Sequence, residues 1–303
     1  MIRTKAGAAT LSVFSNSLLI ALKIAAGAIT GSIAIITEAA HSSIDLLASV
    51  IALASVRKAD VPPDREHPYG HEKLENLAAA IEGMLILVGA AIIVFESTRR
   101  LVVGSHVERL GVGIAVIGLS AVANLAVSSY LGRRARQHRS AALEGDAAHL
   151  RTDAFTSIGV LVGLGLVELT DNAVFDPIAA LVVAAAIVFA GLRILTGSSR
   201  VLVDEAPPPA ELDRIEAAIA DARPPEMAGY HKLRARRAGA RRYIDLHVQF
   251  RSGTTLEDAH ELAHRLRDAI EGELPDSEVL IHVEPEGAVK DPASPEKAPY
   301  RAG

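Results

Sequence analysis

At 303 residues the chain has room for one membrane domain and one small soluble domain. Half of its residues are hydrophobic, it has no Cys and no Trp, and its formal charge is −5. This composition excludes disulfides and thiolate metal sites, offers no basic surface to a nucleic acid, and leaves His, Asp and Glu as the side chains that could hold a metal.

A helix that crosses a bilayer needs about 20 mostly apolar residues. Six runs qualify: 7–29, 33–56, 75–98, 109–131, 143–167 and 173–197. The first follows a short basic start with no small-residue cleavage site, so it reads as a retained span and not a signal peptide. Glycines, prolines and charges mark the joints. The fifth span is the least apolar, because Asp146, His149, Arg151 and Asp153 crowd its first half. Polar groups at bilayer depth are expensive, so that weakness points to function. With the N-terminus in the cytoplasm, the inside segments carry Arg3, Lys5, Arg57, Lys58, Arg65, Lys73 and four arginines between 133 and 139. The outside loops carry only Arg99, Arg100 and Arg109. This asymmetry predicts cytoplasmic N- and C-termini, in the plasma or inner membrane.

The run Pro207-Pro208-Pro209 ends the apolar part. A helix over 210–222, strands over 230–236 and 241–250, a helix over 256–272 and a strand over 278–284 are predicted next. That α-β-β-α-β order is a compact, ferredoxin-like α+β domain. The expected division is a six-helix transmembrane domain over 1–205, a cytoplasmic metal-binding domain over 206–286 and a disordered tail over 287–303, rich in Pro, Ala and charge.

Two spans share one spacing. The second holds His41 and Asp45, the fifth His149 and Asp153. Residues four apart lie on one face of a helix, so each pair offers an imidazole nitrogen and a carboxylate oxygen to one point. Two such helices side by side would supply two nitrogens and two oxygens, a donor set suited to four-coordinate Zn²⁺. One isolated pair could equally serve as an interhelical hydrogen bond; two matching pairs favour a metal. Asp64, His67 and His71 converge if the loop after the second span turns at Pro68 and Gly70; by itself that is a weak signal beside ordinary surface histidines. The soluble domain holds His231, His247, His260, His264, His282 and Glu284, dense histidine usage for its size. Glu38, three residues before His41 on about the same face, could be an auxiliary ligand or a proton carrier, and Lys23 in the first span could snorkel or pair with an acid; neither is assigned a role.

The "GSIAIITEAAHSSIDLLAS" run of the second span, the "HPYGHEKLE" loop and the "HLRTDAFTSIGVLVG" run of the fifth together resemble the cation diffusion facilitator family, up to about Pro285. The resemblance implies a homodimer in a lipid bilayer that exports a divalent metal by exchange with protons, with alternating access. It places His41, Asp45, His149 and Asp153 at the transport site and Asp64, His67 and His71 at a loop site. It places His231, His247, His260, His282 and Glu284 at a cytoplasmic site, where members often have Asp at the last position. His264 has no counterpart. Lys73 and Asp204 match a pair that links the two domains. Imidazole ligands favour Zn²⁺, with Cd²⁺, Co²⁺, Ni²⁺, Fe²⁺ or Mn²⁺ as other ions of the class. The alternative is a metal-binding membrane scaffold of the same family with little transport. An enzyme is not expected: no Gly-flanked Ser nucleophile is present.

Overall fold

The computed structural model describes residues 4–30, 33–103 and 111–287; the side chains of 30, 33–38, 40, 41 and 111–113 also lie outside the description. The expectation of a disordered tail therefore falls almost wholly on residues that are not described. The chain divides into two compact units between Arg200 and Val201.

The first unit consists of α1 (Lys5–Thr30), α2 (Ile33–Ala59), α3 (Lys73–Val103), α4 (Gly111–His138), α5 (Ala141–Thr170) and α6 (Phe175–Leu202). Each predicted span is a helix, and most run past the apolar stretch that announced them. α4 continues through Gly132 and the Arg133–His138 segment because helical hydrogen bonding does not need an apolar environment, and no Pro interrupts it. Ser140 caps α5, its hydroxyl accepting from the Leu143 amide, and Asp171 ends the same helix in the left-handed region at φ 54°. Among the described residues, five helices are long and apolar enough to cross a membrane, and α5 is the least apolar of them. α2, with part of its side chains undescribed, is not among the five.

α5 is central: it packs against α4, α3 and α2, while α1 packs on α2 and α4. The shared core is built largely from alanines, among them Ala8, Ala9, Ala52, Ala78, Ala142 and Ala147. Such small residues let helix backbones approach closely where lipid provides no hydrophobic drive between helices. Gly83 takes this to its limit, since an added Cβ would lie 2.9 Å from the backbone nitrogen of Leu195 on α6. Large apolar side chains face outward instead, including Ile29, Phe95 and Phe189.

The second unit consists of α7 (Pro209–Asp221), β1 (Met227–Ala238), β2 (Arg241–Phe250), α8 (Leu256–Glu273) and β3 (Ser277–Pro285). Pro209 stands at the first position of α7, where its missing N–H costs nothing. Thr255 caps α8 by accepting from the Asp258 amide at 3.1 Å. The sheet order is β1-β2-β3, with β2 antiparallel to β1 and parallel to β3 through the α8 crossover. Ile244, Leu246, Val248 and Phe250 all point to one face, where they meet Leu212, Ile215, Ile219, Leu266 and Ile270 of the two helices. Burying each such side chain contributes about 1.5–3 kcal/mol, which fixes the register of β2. The other face is left to His231, His247 and His282, aligned across the sheet as partners His231↔His247 and His247↔His282. A β-bulge after His231, with Lys232 at φ 50°, lets His231 face outward while Leu233 turns into the core.

Candidate metal centres

Within the helical unit, Asp45 of α2 meets His149 and Asp153 of α5. His149 Nε2 lies 3.2 Å from Asp45 Oδ1 and 3.8 Å from Asp153 Oδ2, and one ligand atom from each of the three falls within 4.8 Å of the others. Asp45 and His149 are buried at 7% and 5% exposure. The three line a cavity of about 300 Å³, whose walls also include Lys23, Asn124, Thr152 and Thr156. The i, i+4 spacing on α5 places His149 and Asp153 on the face toward α2. The backbone of His41 is helical, one turn before Asp45, but its side chain lies outside the described residues, as does that of Glu38. The expected fourth ligand is therefore placed by its helix and not by its atoms.

Lys23 and Asn124 reach this cavity although no motif assigns either of them a role. Lys23 is 5% exposed and donates to Ser42 at 2.6 Å, one turn before Asp45 on α2. A lysine inside an apolar span was the available signal.

The loop between α2 and α3 folds on itself. Asp64 Oδ1 accepts from the amides of Glu66 and His67 at 2.9 and 2.7 Å, and Gly70 supplies the turn at φ 87°. The His67 amide is the main reason the Asp64 carboxyl titrates below the ordinary aspartate value; slight desolvation opposes it and the Glu66 amide adds to it. His71 Nε2 is 3.3 Å from Asp64 Oδ2, and the His67 and His71 rings are 4.5 Å apart. The Val61 carbonyl, which can only accept, lies 3.3 Å from His71 Nδ1. In the neutral ring this assigns the proton to Nδ1 and leaves the Nε2 lone pair facing a carboxylate oxygen. Two lone pairs at that distance repel unless a cation lies between them. A carbonyl holding the far nitrogen is also the usual support of a metal-ligating histidine.

In the second unit, Glu284 joins His231 and His247. Its Oε2 lies 2.8 Å from His231 Nε2 and its Oε1 2.6 Å from His247 Nδ1. Burial works against the Glu284 charge, but the two imidazoles outweigh it and hold the carboxyl below its ordinary value. His282 is more peripheral: its ring is 4.6 Å from that of His247, its Nε2 is 3.7 Å from Glu284 Oε1, and its side chain is 63% exposed. His260 does not join this cluster within one chain. It sits with His264 on the exposed side of α8, their rings 4.3 Å apart, whereas α8 covers the opposite face of the sheet. Asp204 accepts from Arg236 at 3.1 Å, inside its own unit; Lys73 opens α3 in the other.

The chain matches the cation efflux transmembrane domain over residues 9–203 and the cation efflux protein cytoplasmic domain over residues 207–286. It is 32% identical to an uncharacterized transporter of Synechocystis over 288 residues, covering 94% of this chain and 91% of the relative. It is 31% identical to the cation-efflux pump FieF of Klebsiella pneumoniae over 273 residues, covering 90% of each. A solved zinc form of the putative zinc transporter CzrB is 38% identical over 29% of this chain and 99% of that one, with a TM-score of 0.27.

The chain is an integral membrane protein of the cation efflux family, the cation diffusion facilitators. Its members are transporters that move divalent metal cations out, and they are not enzymes.

Proposed function

We propose that this protein exports Zn²⁺ in exchange for protons, as a homodimer that alternates access to the Asp45, His149 and Asp153 cavity. The observation that carries the reading is the convergence of these three groups, from two different helices, in a cavity among apolar spans. His41, one turn before Asp45, completes the donor set. Four ligand atoms at 2.0–2.2 Å from a tetrahedral ion lie about 3.3–3.6 Å from one another. The separations of 3.2 and 3.8 Å around His149 Nε2 bracket that range.

The exchange follows from the ligands. Zinc binds neutral imidazole and ionised carboxylate, so loading releases protons and protonation ejects the metal. Moving two charges outward against 100 mV costs about 4.6 kcal/mol, and each returning proton recovers about 2.3 kcal/mol. One proton per ion leaves the remainder to the pH or metal gradient; two make the cycle electrically neutral.

In the rest of the proposal α2 is the sixth crossing, both termini face the cytoplasm of the cell or inner membrane, and 206–286 is the regulatory domain. Asp64, His67 and His71 form a loop metal site, and His231, His247, His282 and Glu284 form a domain site. His260 belongs to that site only if a second copy brings it, which agrees with dimerisation through this domain. The test is metal flux into proteoliposomes under an imposed pH gradient, with Zn²⁺ and Mn²⁺ in parallel and His149→Ala as control. Zinc uptake that follows the proton gradient and vanishes in the variant is expected. A folded dimer that binds zinc without flux would instead make it a metal-binding scaffold.

A further inference from the structure

Glu82 stands in the middle of α3 with none of its surface exposed. Neither of its carboxyl oxygens has a hydrogen-bond partner. Its side chain lies against Gly145 of α5, where an added Cβ would strike Oε2. The next residue on α5, Asp146, is equally buried. Ser49 of α2 donates to Asp146 Oδ1 at 2.9 Å, and that hydroxyl contacts Ser12 and Asn16 of α1 at 3.0 and 2.8 Å. Asp146 Oδ2 is left without a partner. Neither carboxyl lines the cavity around Asp45, His149 and Asp153.

Two ionised carboxylates in this place would be desolvated, would repel each other and would leave three oxygens unsatisfied. The charged groups on the surrounding helices do not relieve them. On α1, Lys5 is engaged with Asp60 and Glu75, and Lys23 donates to Ser42 at the cavity. On α2 and α5 the titratable groups further along are Asp45, His149, Arg151 and Asp153, and Arg151 is exposed and turned toward Gly132 of α4. Glu75 lies two turns back on α3, and α6 presents Leu195 to Gly83. A single proton answers the arrangement: carried by one carboxyl, it removes one of the two buried charges and their repulsion.

We propose that Glu82 and Asp146 hold one proton between them, forming a proton-binding site separate from the transport cavity. The site's part in transport rests on the exchange reading above. Asp146 lies three residues before His149, about 4.5 Å along the helix axis. A divalent ion arriving at His149 brings positive charge close to the stored proton and expels it to water; departure of the ion lets the pair take a proton back.

Infrared spectroscopy of the full-length protein in lipid, free of metal at neutral pH, tests the site without any transport. A protonated carboxylic acid shows a carbonyl stretch distinct from the carboxylate bands. That band is expected in the wild type, shifted in heavy water, and lost in Glu82→Gln and in Asp146→Asn. Its absence from the wild type overturns the proposal, as does its persistence in both variants. If one variant does not fold, the other decides, together with bleaching of the wild-type band at alkaline pH. Calorimetry in buffers of different ionisation enthalpy tests the coupling. Protons released per zinc bound should fall by up to about one in Glu82→Gln, and an unchanged count overturns the coupling. A chain that binds no zinc would sink the exporter reading and leave the infrared result to stand alone.

Discussion

Replacing Asp45 by Asn keeps the volume of the side chain and removes one anionic group from the cavity proposed as the transport site. Asp45 Oδ1 and Asp153 Oδ2 both approach Nε2 of His149, from opposite helices, so each carboxylate supplies a separate corner around an ion. With one of them neutral, a divalent ion in this buried place is left with uncompensated charge. Loss of an outer-shell partner alone costs 10–100-fold in metal affinity, so loss of a charged ligand should weaken zinc binding at least about 100-fold. At 1.4 kcal/mol per tenfold this is about 2.8 kcal/mol. Initial zinc uptake into proteoliposomes, measured over a range of zinc concentrations, reads the effect as a KM raised by about that factor or as loss of flux. Asp64→Asn, in the loop, is the control that separates the cavity from the loop site. A folded Asp45→Asn dimer with wild-type KM and maximal rate would refute the assignment.

Glu284→Ala takes away the carboxylate shared by His231 and His247, and zinc binding to the cytoplasmic domain should fall by at least about tenfold, measured on full-length protein that also carries Asp45→Asn and Asp64→Asn. Gly83→Ala should lower the melting temperature in detergent, through a cost of about 1–3 kcal/mol, because its Cβ would meet the Leu195 backbone and not a movable side chain. Glu211 predicts a pH effect. Burial opposes its charge, but Arg237 and Arg242 together hold its carboxyl below the ordinary value. A depressed carboxyl contributes stability above its unfolded pKa, near 4.3, and that contribution is lost as the pH falls through the lower folded value. Arg242→Met should therefore lower the stability of the cytoplasmic domain at neutral pH by about 2 kcal/mol and flatten its acid limb; hydrogen exchange of β2 at pH 7 and pH 4 would show both.

Much of this was legible because the chain uses two clear periods. Apolar runs marked the helices, and the residues from Asp245 to Phe250 alternate polar and apolar, as the two faces of β2 require. The ends were less legible. Hydropathy stops at the bilayer while a helix does not, so α3 reaches Val103 and α4 reaches His138, beyond the runs that marked them. The i, i+4 pairs placed His149 and Asp153 on one face correctly, but no pattern within α5 could say that α2 would bring Asp45 to meet them. His260, which the resemblance groups with His231, His247 and His282, sits on the side of α8 turned away from that face of the sheet, and no pattern within one chain places it nearer. Glu82 was overlooked inside an apolar run. A lone acid there was the signal, and its neighbour Asp146 was read only as a polar interruption of the fifth span.

The row formed by His231, His247 and His282 has a consequence for how the domain is made. Side chains on a strand alternate between faces, so a slip of one residue in β1 or β3 would send its histidine into the core and break the row. A metal seated there binds the correctly paired sheet and not its shifted alternatives, and ligand binding stabilises whichever state it selects. A metal held by the row would thereby act as a proofreader of strand pairing. It would reward the one register that also buries Ile244, Leu246 and Val248, and couple completion of the fold to its own supply.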